Sequence, residues 1–155
     1  METAPDRDLG ILVIPLAALL EYADPTLDNP WGCGQIHQQD VLNEVGYSTM
    51  GDAPPEFNSR LYLSYEYNIQ RIAYFVEQGW DSTEEDREPI TIDIGLEGYT
   101  PEYLISDGNH RVAAAKIRGD RSIAVEIIGD VAKAEAMFLR GVHPDEYSRL
   151  GASTA

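Results

Sequence analysis

The feature that most constrains the fold of this chain is a change of residue pattern along residues 90–128. Isoleucine or leucine occupies every second position from Ile90 to Leu96, which is the period of a β-strand. A second strand is predicted at 103–106, an alanine-rich helix at 112–118 and a third strand at 122–128. Strands that alternate with helices in this way predict an α/β (α+β) fold.

Further elements are predicted on both sides of this region. An apolar stripe with steps of three and four residues indicates a helix that Asn58 or Ser59 caps and that Gly79 ends. The segment from Asp24 to Pro55 is rich in turn signals, and a connection of this length is typical of a functional or mobile loop. The remaining predictions are a strand at 10–15, helical turns at 16–22, a short helix at 37–45, a helix from 130 through 140 and one more turn from Pro144.

The length and composition fit one globular domain. A chain of 155 residues can bury a core without staples, and 43% hydrophobic with 25% charged residues is an ordinary globular composition. We therefore expect a single domain at 1–150 and a flexible tail at 151–155. The longest apolar stretch, at 11–20, is about half of what a bilayer span needs, and no cationic leader opens the chain. The expected compartment is the cytoplasm, without a membrane partner, and the single cysteine, Cys33, excludes an internal disulfide.

The net charge narrows the choice of partners. The chain holds 27 acids against 11 bases, a formal net charge of −16, which repels nucleic acid and attracts basic partners or metal ions. Direct DNA binding is therefore not expected, although simple solubility also explains such a charge. The bases are concentrated in a basic island at 111–121, which holds one acid, Asp120, and four bases: Arg111, Lys116, Arg118 and Arg121.

The loop between the second strand and the alanine-rich helix has residues that suit an anion. Gly108 allows backbone angles that other residues avoid and lets a ligand approach the main chain closely. The N–H groups from Asn109 to Val112 are expected to point out of the helix start, where an anion fits. Arg111 adds a fork of donors for phosphate oxygens, His110 a ring that donates when protonated or as the right tautomer, and Asn109 an amide. The predicted phosphate-binding residues are Gly108, Asn109, His110 and Arg111.

Asp107 stands directly before these residues. A carboxylate beside phosphate has to be screened, so its expected role is that of a Mg²⁺ ligand or a proton acceptor. Asp107 and His110 are therefore the predicted catalytic residues. The alternative is that 107–109 only turns the chain, because Asp-Gly is a common hairpin turn. A hairpin needs a following strand, whereas the residues from Val112 to Gly119 are helical, which favours the binding site.

The loop and the order of elements around it resemble the ParB/sulfiredoxin superfamily. The matching features are Ile90-Thr-Ile-Asp-Ile after a Gly79-ended helix, Leu104-Ile-Ser-Asp-Gly-Asn-His-Arg-Val-Ala-Ala-Ala115, the Gly119 stop and Ser122-Ile-Ala-Val-Glu-Ile127. The resemblance covers about residues 58–130 and implies a compact single-domain fold, with a small mixed sheet and flanking helices. It also implies that a Gly-x-x-Arg loop, here Gly108 and Arg111, binds a nucleotide triphosphate.

Differences from individual branches of this superfamily narrow the function. Sulfiredoxins place the catalytic cysteine directly before His-Arg, where this chain has Asn109, so sulfinic acid repair is not expected. Chromosome-partition members carry a helix-turn-helix domain after the loop, whereas about 25 residues follow Asp130 here, which argues against a DNA clamp. Members that phosphorylate free serine have a similar Asp-Gly-His-His-Arg loop, but their catalytic carboxylate has no unique match. The remaining match is to compact stand-alone members of plasmids and phages, for which nucleotide hydrolysis and DNA cutting have been proposed.

The expected function is therefore binding of ATP or CTP with Mg²⁺-dependent phosphohydrolysis, in a protein of plasmid or phage type. A nuclease activity fits the resemblance but not the charge, and it ranks below nucleotide hydrolysis. The alternative from another class is an acidic interaction module or DNA mimic that occupies a basic site on a DNA-handling protein. In that case the nucleotide loop would be vestigial or regulatory.

Overall fold

The structure is a computed structural model that describes residues 11–47, 64–79, 89–96, 98–99 and 101–147. The strands within these ranges are β1 (Ile11–Pro15), β2 (Ile90–Gly95), β3 (Ile105–Asp107) and β4 (Ser122–Gly129). The helices are α1 (Leu16–Leu20), α2 (Pro25–Asp28), α3 (Gln38–Glu44), α4 (Tyr65–Gln78), α5 (Asn109–Arg118) and α6 (Val131–Arg140). A further helical turn lies at 144–147, and the chain divides into two compact units.

The first unit comprises Met1–Tyr22, Asp81–Asp107 and Arg121–Ala155, and its described part contains the sheet. The strand order is β1-β4-β2-β3. Strand β4 runs antiparallel to β1 and parallel to β2, while β3 runs antiparallel to β2. Helices α1 and α6 of the same unit pack against these strands. The predicted α/β class, with a small mixed sheet and flanking helices, is therefore confirmed.

The core of the first unit follows the period of its two central strands. Every second residue of these strands is buried: Ile90, Ile92 and Ile94 in β2, and Ile123, Val125 and Ile127 in β4. On the other side of β2, Thr91 and Asp93 are half-buried. The period of two that the sequence predicted for this strand is therefore the period of its buried side chains.

The second unit comprises Ala23–Trp80 and Gly108–Asp120, and its described part is helical. The apolar stripe of α4 packs against the alanine face of α5, where Ile72, Ala73, Ala113 and Ala114 are at most 1% exposed. Short alanine side chains allow the two helices to pack close together. Val41 of α3 belongs to the same cluster. This packing holds α5 through its alanine face.

The start of α4 differs from the sequence prediction. The helix begins at Tyr65, and the Ser64 hydroxyl accepts a hydrogen bond from the Tyr67 N–H at 3.0 Å, which makes Ser64 the N-cap. The cap predicted at Asn58 or Ser59 lies outside the described residues, and the sequence did not predict Ser64 as a cap. The end at Gly79 is confirmed, and the glycine has a positive φ of 74°.

The turn-rich segment after residue 23 contains two helices. The short helix predicted at 37–45 is confirmed as α3, whereas α2 was read as a turn because it begins at the Asp24-Pro25 pair. Asp24 caps α2 by accepting from the Thr26 N–H at 3.0 Å, and proline is favoured at a first helical position. The single domain at 1–150 stays a prediction, and the tail at 151–155 lies outside the described residues. In the ranges that the structure describes, no helix has the length and apolar character needed to cross a membrane.

Candidate functional site

The predicted anion-binding loop begins within the sheet. Strand β3 extends through Asp107, which stands opposite Thr91 of β2, whereas the sequence predicted that this strand ends at Ser106. The ladder holds the Asp107 main chain, and the side chain of Asp107 is exposed. A helix follows immediately after Gly108. The alternative of a hairpin turn at 107–109 is therefore wrong.

Gly108 is the N-cap of α5 and has a left-handed conformation, with φ 108° and ψ 20°. Side-chain-bearing residues rarely adopt this conformation, which explains the glycine. The helix begins at Asn109, three residues before the predicted start. The prediction was late because Asn109, His110 and Arg111 carry no apolar period. The Val112 N–H donates to the Gly108 carbonyl at 2.9 Å, so this N–H, which the prediction offered to an anion, is part of the helix. The N–H groups of Asn109 to Arg111 precede that first helical bond.

The start of α5 differs in composition from those of α4 and α6. Ser64 and Asp130 accept first-turn N–H groups of α4 and α6, each at 3.0 Å. Gly108 has no side chain that could do this for α5, and no acidic residue stands in the first turn. The positive end of the α5 dipole is therefore not compensated by a carboxylate of its own turn, which makes this end suitable for an anion.

The ring of His110 is surrounded by side chains of the second unit. It stacks on the indole of Trp31, with ring centroids 4.4 Å apart and planes inclined by 14°, and it lies edge-on to Tyr67 at 6.4 Å. Its Nε2 lies 2.7 Å from Oδ1 of Asn68. Because Asn68 Nδ2 donates to the Ser64 carbonyl at 2.8 Å, the amide oxygen faces the ring and accepts from Nε2. This assigns the tautomer with hydrogen on Nε2 and a lone pair on Nδ1.

The imidazole of His110 is neutral at neutral pH. Burial, together with the positive charges of Arg71 and Arg111, lowers the pKa of His110 from 6.5 to about 3. The sequence left open a protonated ring and a neutral tautomer as donors, and the neutral form is the one that this surrounding stabilises. Two guanidinium groups act on the same ring, so the local field is positive in a chain of net charge −16.

The bases of the island have different surroundings. Arg111 stands in the first turn of α5 and is 8% exposed. Lys116 donates to Asp24 at 2.7 Å, and Arg118 donates to the Phe75 carbonyl at 3.1 Å and pairs with Asp120. Of these three bases, Arg111 is the one that stands in the first turn of α5.

Sequence reasoning did not assign three side chains around His110 to the site. Asn68 and Arg71 were placed only within a core helix, and Trp31 within a segment of undecided role. Asn68 is 0% exposed, which is uncommon for an amide side chain and requires a partner. An asparagine directly before Ile69, within an apolar stripe, is the signal that could have pointed to this site.

A cleft of about 650 Å³ lies in the second unit, lined by residues of α3 and of the start of α4. Its charged lining consists of the carboxylates of Asp40, Glu44 and Glu66. The hydroxyl of Tyr65, also in the lining, donates to Asp40 Oδ2 at 2.6 Å. A surface of this kind suits a cationic group and not a phosphate.

A magnesium ion fits the predicted site in one respect. Asp107 is the carboxylate of the 106–111 segment, and Mg²⁺ in nucleotide sites is held by one or two carboxylates together with phosphate oxygens and waters. Within the described ranges, no group of three or more His, Cys, Asp or Glu side chains is arranged to hold a metal ion. Asp107 would therefore hold Mg²⁺ only in company with the nucleotide phosphates.

Comparisons with protein-family models, with curated proteins and with solved structures found no match. Membership of the ParB/sulfiredoxin superfamily therefore stays a prediction that rests on the residues of the loop and its neighbouring elements. The geometry of the α5 start is the basis for a function.

Proposed function

We propose that this protein binds the phosphates of a nucleotide, ATP or CTP, at the first turn of α5. The observation that carries the proposal is the glycine-led start of α5, without a capping side chain or an acid and with Arg111 in its first turn. Phosphate is held best where main-chain N–H groups and a guanidinium converge. The positive charges of Arg71 and Arg111 at His110 add to this argument.

The resemblance to the ParB/sulfiredoxin superfamily supports a nucleotide over a simple anion. Gly108 and Arg111 match the Gly-x-x-Arg positions that hold triphosphates in that superfamily, and Asn109 with His110 stands between them. Asn109 is half-buried, and it belongs to the same helix turn whose main-chain N–H groups a phosphate would use. The proposal assigns phosphate binding to Gly108, Asn109 and Arg111.

We further propose that the bound nucleotide is hydrolysed at its terminal phosphoryl group in the presence of Mg²⁺. Asp107 precedes the phosphate-binding turn by one residue, and its exposed carboxylate suits either a Mg²⁺ ligand or the acceptor of a proton from the attacking water. When bound, Mg²⁺ neutralises charge on the phosphate oxygens. Arg111 and the N–H groups of the first turn stabilise the charge that develops there.

The binding proposal is tested by calorimetric titration of ATP, CTP, GTP and ADP, with and without Mg²⁺. Removing the guanidinium in Arg111→Gln is expected to weaken ATP or CTP binding by about tenfold to a hundredfold, because a charge-assisted hydrogen bond is lost. Arg121→Gln removes the same charge from an exposed position and is the matched control. Because Arg111 is buried, thermal unfolding is recorded for each variant. A folded Arg111→Gln protein with wild-type affinity contradicts the proposal.

The catalytic proposal is tested by release of inorganic phosphate. Asp107→Asn is expected to keep nucleotide binding in the absence of Mg²⁺ and to lose at least about a hundredfold in hydrolysis rate. Asp145→Asn, at a side chain that is 89% exposed, is the control and is expected to hydrolyse like the wild type. If the wild type nicks supercoiled plasmid and Asp107→Asn does not, nuclease activity is favoured over nucleotide hydrolysis as the function.

A second function is favoured by the net charge of −16 and by the carboxylate-lined cleft. In this proposal the chain is an acidic interaction module or DNA mimic that occupies the basic site of a DNA-handling protein. Such a complex is expected to weaken steeply with added salt and to be displaced by duplex DNA. Asp40→Asn with Glu66→Gln is expected to weaken it more than the control pair Glu102→Gln with Asp145→Asn. Insensitivity to salt argues against it.

A further inference from the structure

The inference concerns His110 and the side chains that enclose it, and it rests on the proposed phosphate site. The ring of His110, in the first turn of α5, makes a stacked contact, an edge-on contact and a hydrogen bond of 2.7 Å. These contacts come from two different parts of the second unit, Trp31 after α2 and Tyr67 with Asn68 on α4. The first turn of α5 is therefore held from two sides through one ring.

Asn68 makes this arrangement specific. The side chain is 0% exposed, and its amide donates to the Ser64 carbonyl at 2.8 Å and lies 3.6 Å from the sulfur of Cys33. Its oxygen accepts from His110, so that both ends of the amide are used. If the ring turned away, a buried amide oxygen would lose this bond, which is costly in a buried setting. The geometry of the ring is therefore enforced from within α4.

The charges around the His110 ring distinguish the role of the ring from that of the two neighbouring arginines. The groups that face it are Arg71 from α4, Arg111 from α5, the phenol of Tyr67 and, across the Asn68 amide, the Cys33 thiol. The two arginines disfavour a third positive charge on His110. The positive charge that attracts an anion therefore comes from the two arginines. The His110 ring contributes packing that holds the helix turn in place.

We propose that Trp31, Asn68 and His110 are positioning residues of the phosphate site: they hold the first turn of α5 in the orientation that a triphosphate requires. His110 acts through this turn and neither donates a charge to the phosphate nor transfers a proton. Trp31, stacked on the ring, reports the occupancy of the site.

The first test compares affinities for inorganic tripolyphosphate, measured by calorimetry. His110→Ala and Trp31→Ala are each expected to weaken binding by about tenfold, because the stacked and hydrogen-bonded support is lost. His110→Gln, which can still donate to Asn68, and Trp31→Phe, which can still stack, are expected to restore most of that loss. Tyr47→Ala removes a 79% exposed aromatic ring of the same unit and is the matched control. Wild-type affinity in both alanine variants overturns the inference.

The second test is the pH profile. The ratio of wild-type to His110→Gln affinity is expected to stay constant between about pH 5.5 and 8, since a neutral ring does not titrate in this range and the phosphate titrates equally with both proteins. A ratio that rises as the pH falls through about 6.5 would show that His110 binds as a cation and would overturn the inference. This comparison remains decisive if the alanine variants do not fold.

The third test uses the fluorescence of Trp31 in a Trp80→Phe background, in which Trp31 is the one remaining tryptophan. Tripolyphosphate is expected to change the Trp31 emission with the same midpoint as the calorimetric titration. Binding without any change in emission would count against the role of Trp31. A wild-type protein that binds neither tripolyphosphate nor ATP and CTP would overturn the proposed function. Binding by the wild type with unchanged affinity in the Trp31 and His110 variants would overturn the positioning role alone.

Discussion

At the scale of single residues, α5 carries two left-handed glycines whose comparison isolates the phosphate site. Gly108 at its start has φ 108°, and Gly119 at its end has φ 78°. Replacing either with alanine is expected to lower the free energy of unfolding by about 1 to 2 kcal/mol, because alanine is strained in this region. Only Gly108→Ala is expected also to weaken nucleotide binding, since its methyl group approaches the proposed phosphate. Equal nucleotide affinity in both variants, measured by calorimetry, contradicts the site.

His110 gives a prediction on the pH dependence of stability. Its pKa is lowered from 6.5 to about 3 in the folded protein, so the unfolded chain binds an additional proton at intermediate pH. The stabilising contribution is complete above pH 6.5 and decreases as the pH falls toward 3. At pH 5 the expected loss is on the order of 2 kcal/mol, from about 1.4 kcal/mol per pKa unit. Urea unfolding at pH 7.5 and 5 is expected to show a smaller loss for His110→Gln, and equal losses would refute the neutral state of the His110 ring.

At the scale of elements, an ion pair joins α2 to α5. Lys116 Nζ lies 2.7 Å from Asp24 Oδ2 and 2.8 Å from Thr26 Oγ1. Burial opposes ionisation of Asp24, but the hydrogen bonds from Lys116 and Thr26 and the Lys116 charge outweigh it and hold the pKa of Asp24 below its usual 3.8. The pair therefore stabilises the fold above pH 3.8, and the contribution is lost as the pH falls through the lowered pKa.

Asp24→Asn tests this ion pair without removing the helix cap, because asparagine is also a good N-cap. At pH 7 the variant is expected to lose about 1 kcal/mol of unfolding free energy, a modest value since the Lys116 side chain is 33% exposed. The difference from the wild type is expected to shrink as the pH is lowered from 7 to below 3.8. Chemical denaturation at the two pH values measures it, and a difference that persists in acid would exclude the ion pair as its source.

The elements with a clear period could be predicted from the sequence, and those governed by local polar contacts could not. Strand β2 and helix α6 show their periods directly and were predicted within a residue or two. The start of α5 was placed three residues late because Asn109 to Arg111 carry no apolar pattern, although they are helical. Helix α2 was missed because the hydrogen bond from the Thr26 N–H to Asp24 has no signal beyond a turn-like residue pair.

The candidate site could be predicted from the sequence only along the chain and not across it. The glycine and the three polar residues of the first turn are contiguous, so the loop itself identified them. The stacking of Trp31 on His110 joins residues 79 positions apart, and the bond between Asn68 and His110 spans 42 positions. Pairings of this range depend on how α4 and α5 pack, which no local pattern encodes.

At the scale of the whole molecule, the charge of −16 and the positive field at the start of α5 act on anions in opposite directions. Mutual repulsion of the acids destabilises the fold at low ionic strength, and salt of any kind relieves it. Specific occupation of the α5 start would add a stabilisation that depends on the anion. Sodium sulfate and sodium chloride at equal ionic strength therefore distinguish general screening from binding.

Sulfate also stabilises proteins by exclusion from their surface, so the comparison needs variants that differ at the site alone. Gly108→Ala and Gly119→Ala share their helix and their type of backbone strain. The extra stabilisation by sulfate over chloride is expected to be larger in Gly119→Ala, by about 1 kcal/mol at a sulfate concentration five times the dissociation constant. The melting temperatures of the two variants in the two salts measure it. Equal gains from sulfate in both variants would mean that the α5 start binds no anion and that the charge of the chain alone sets its response to salt.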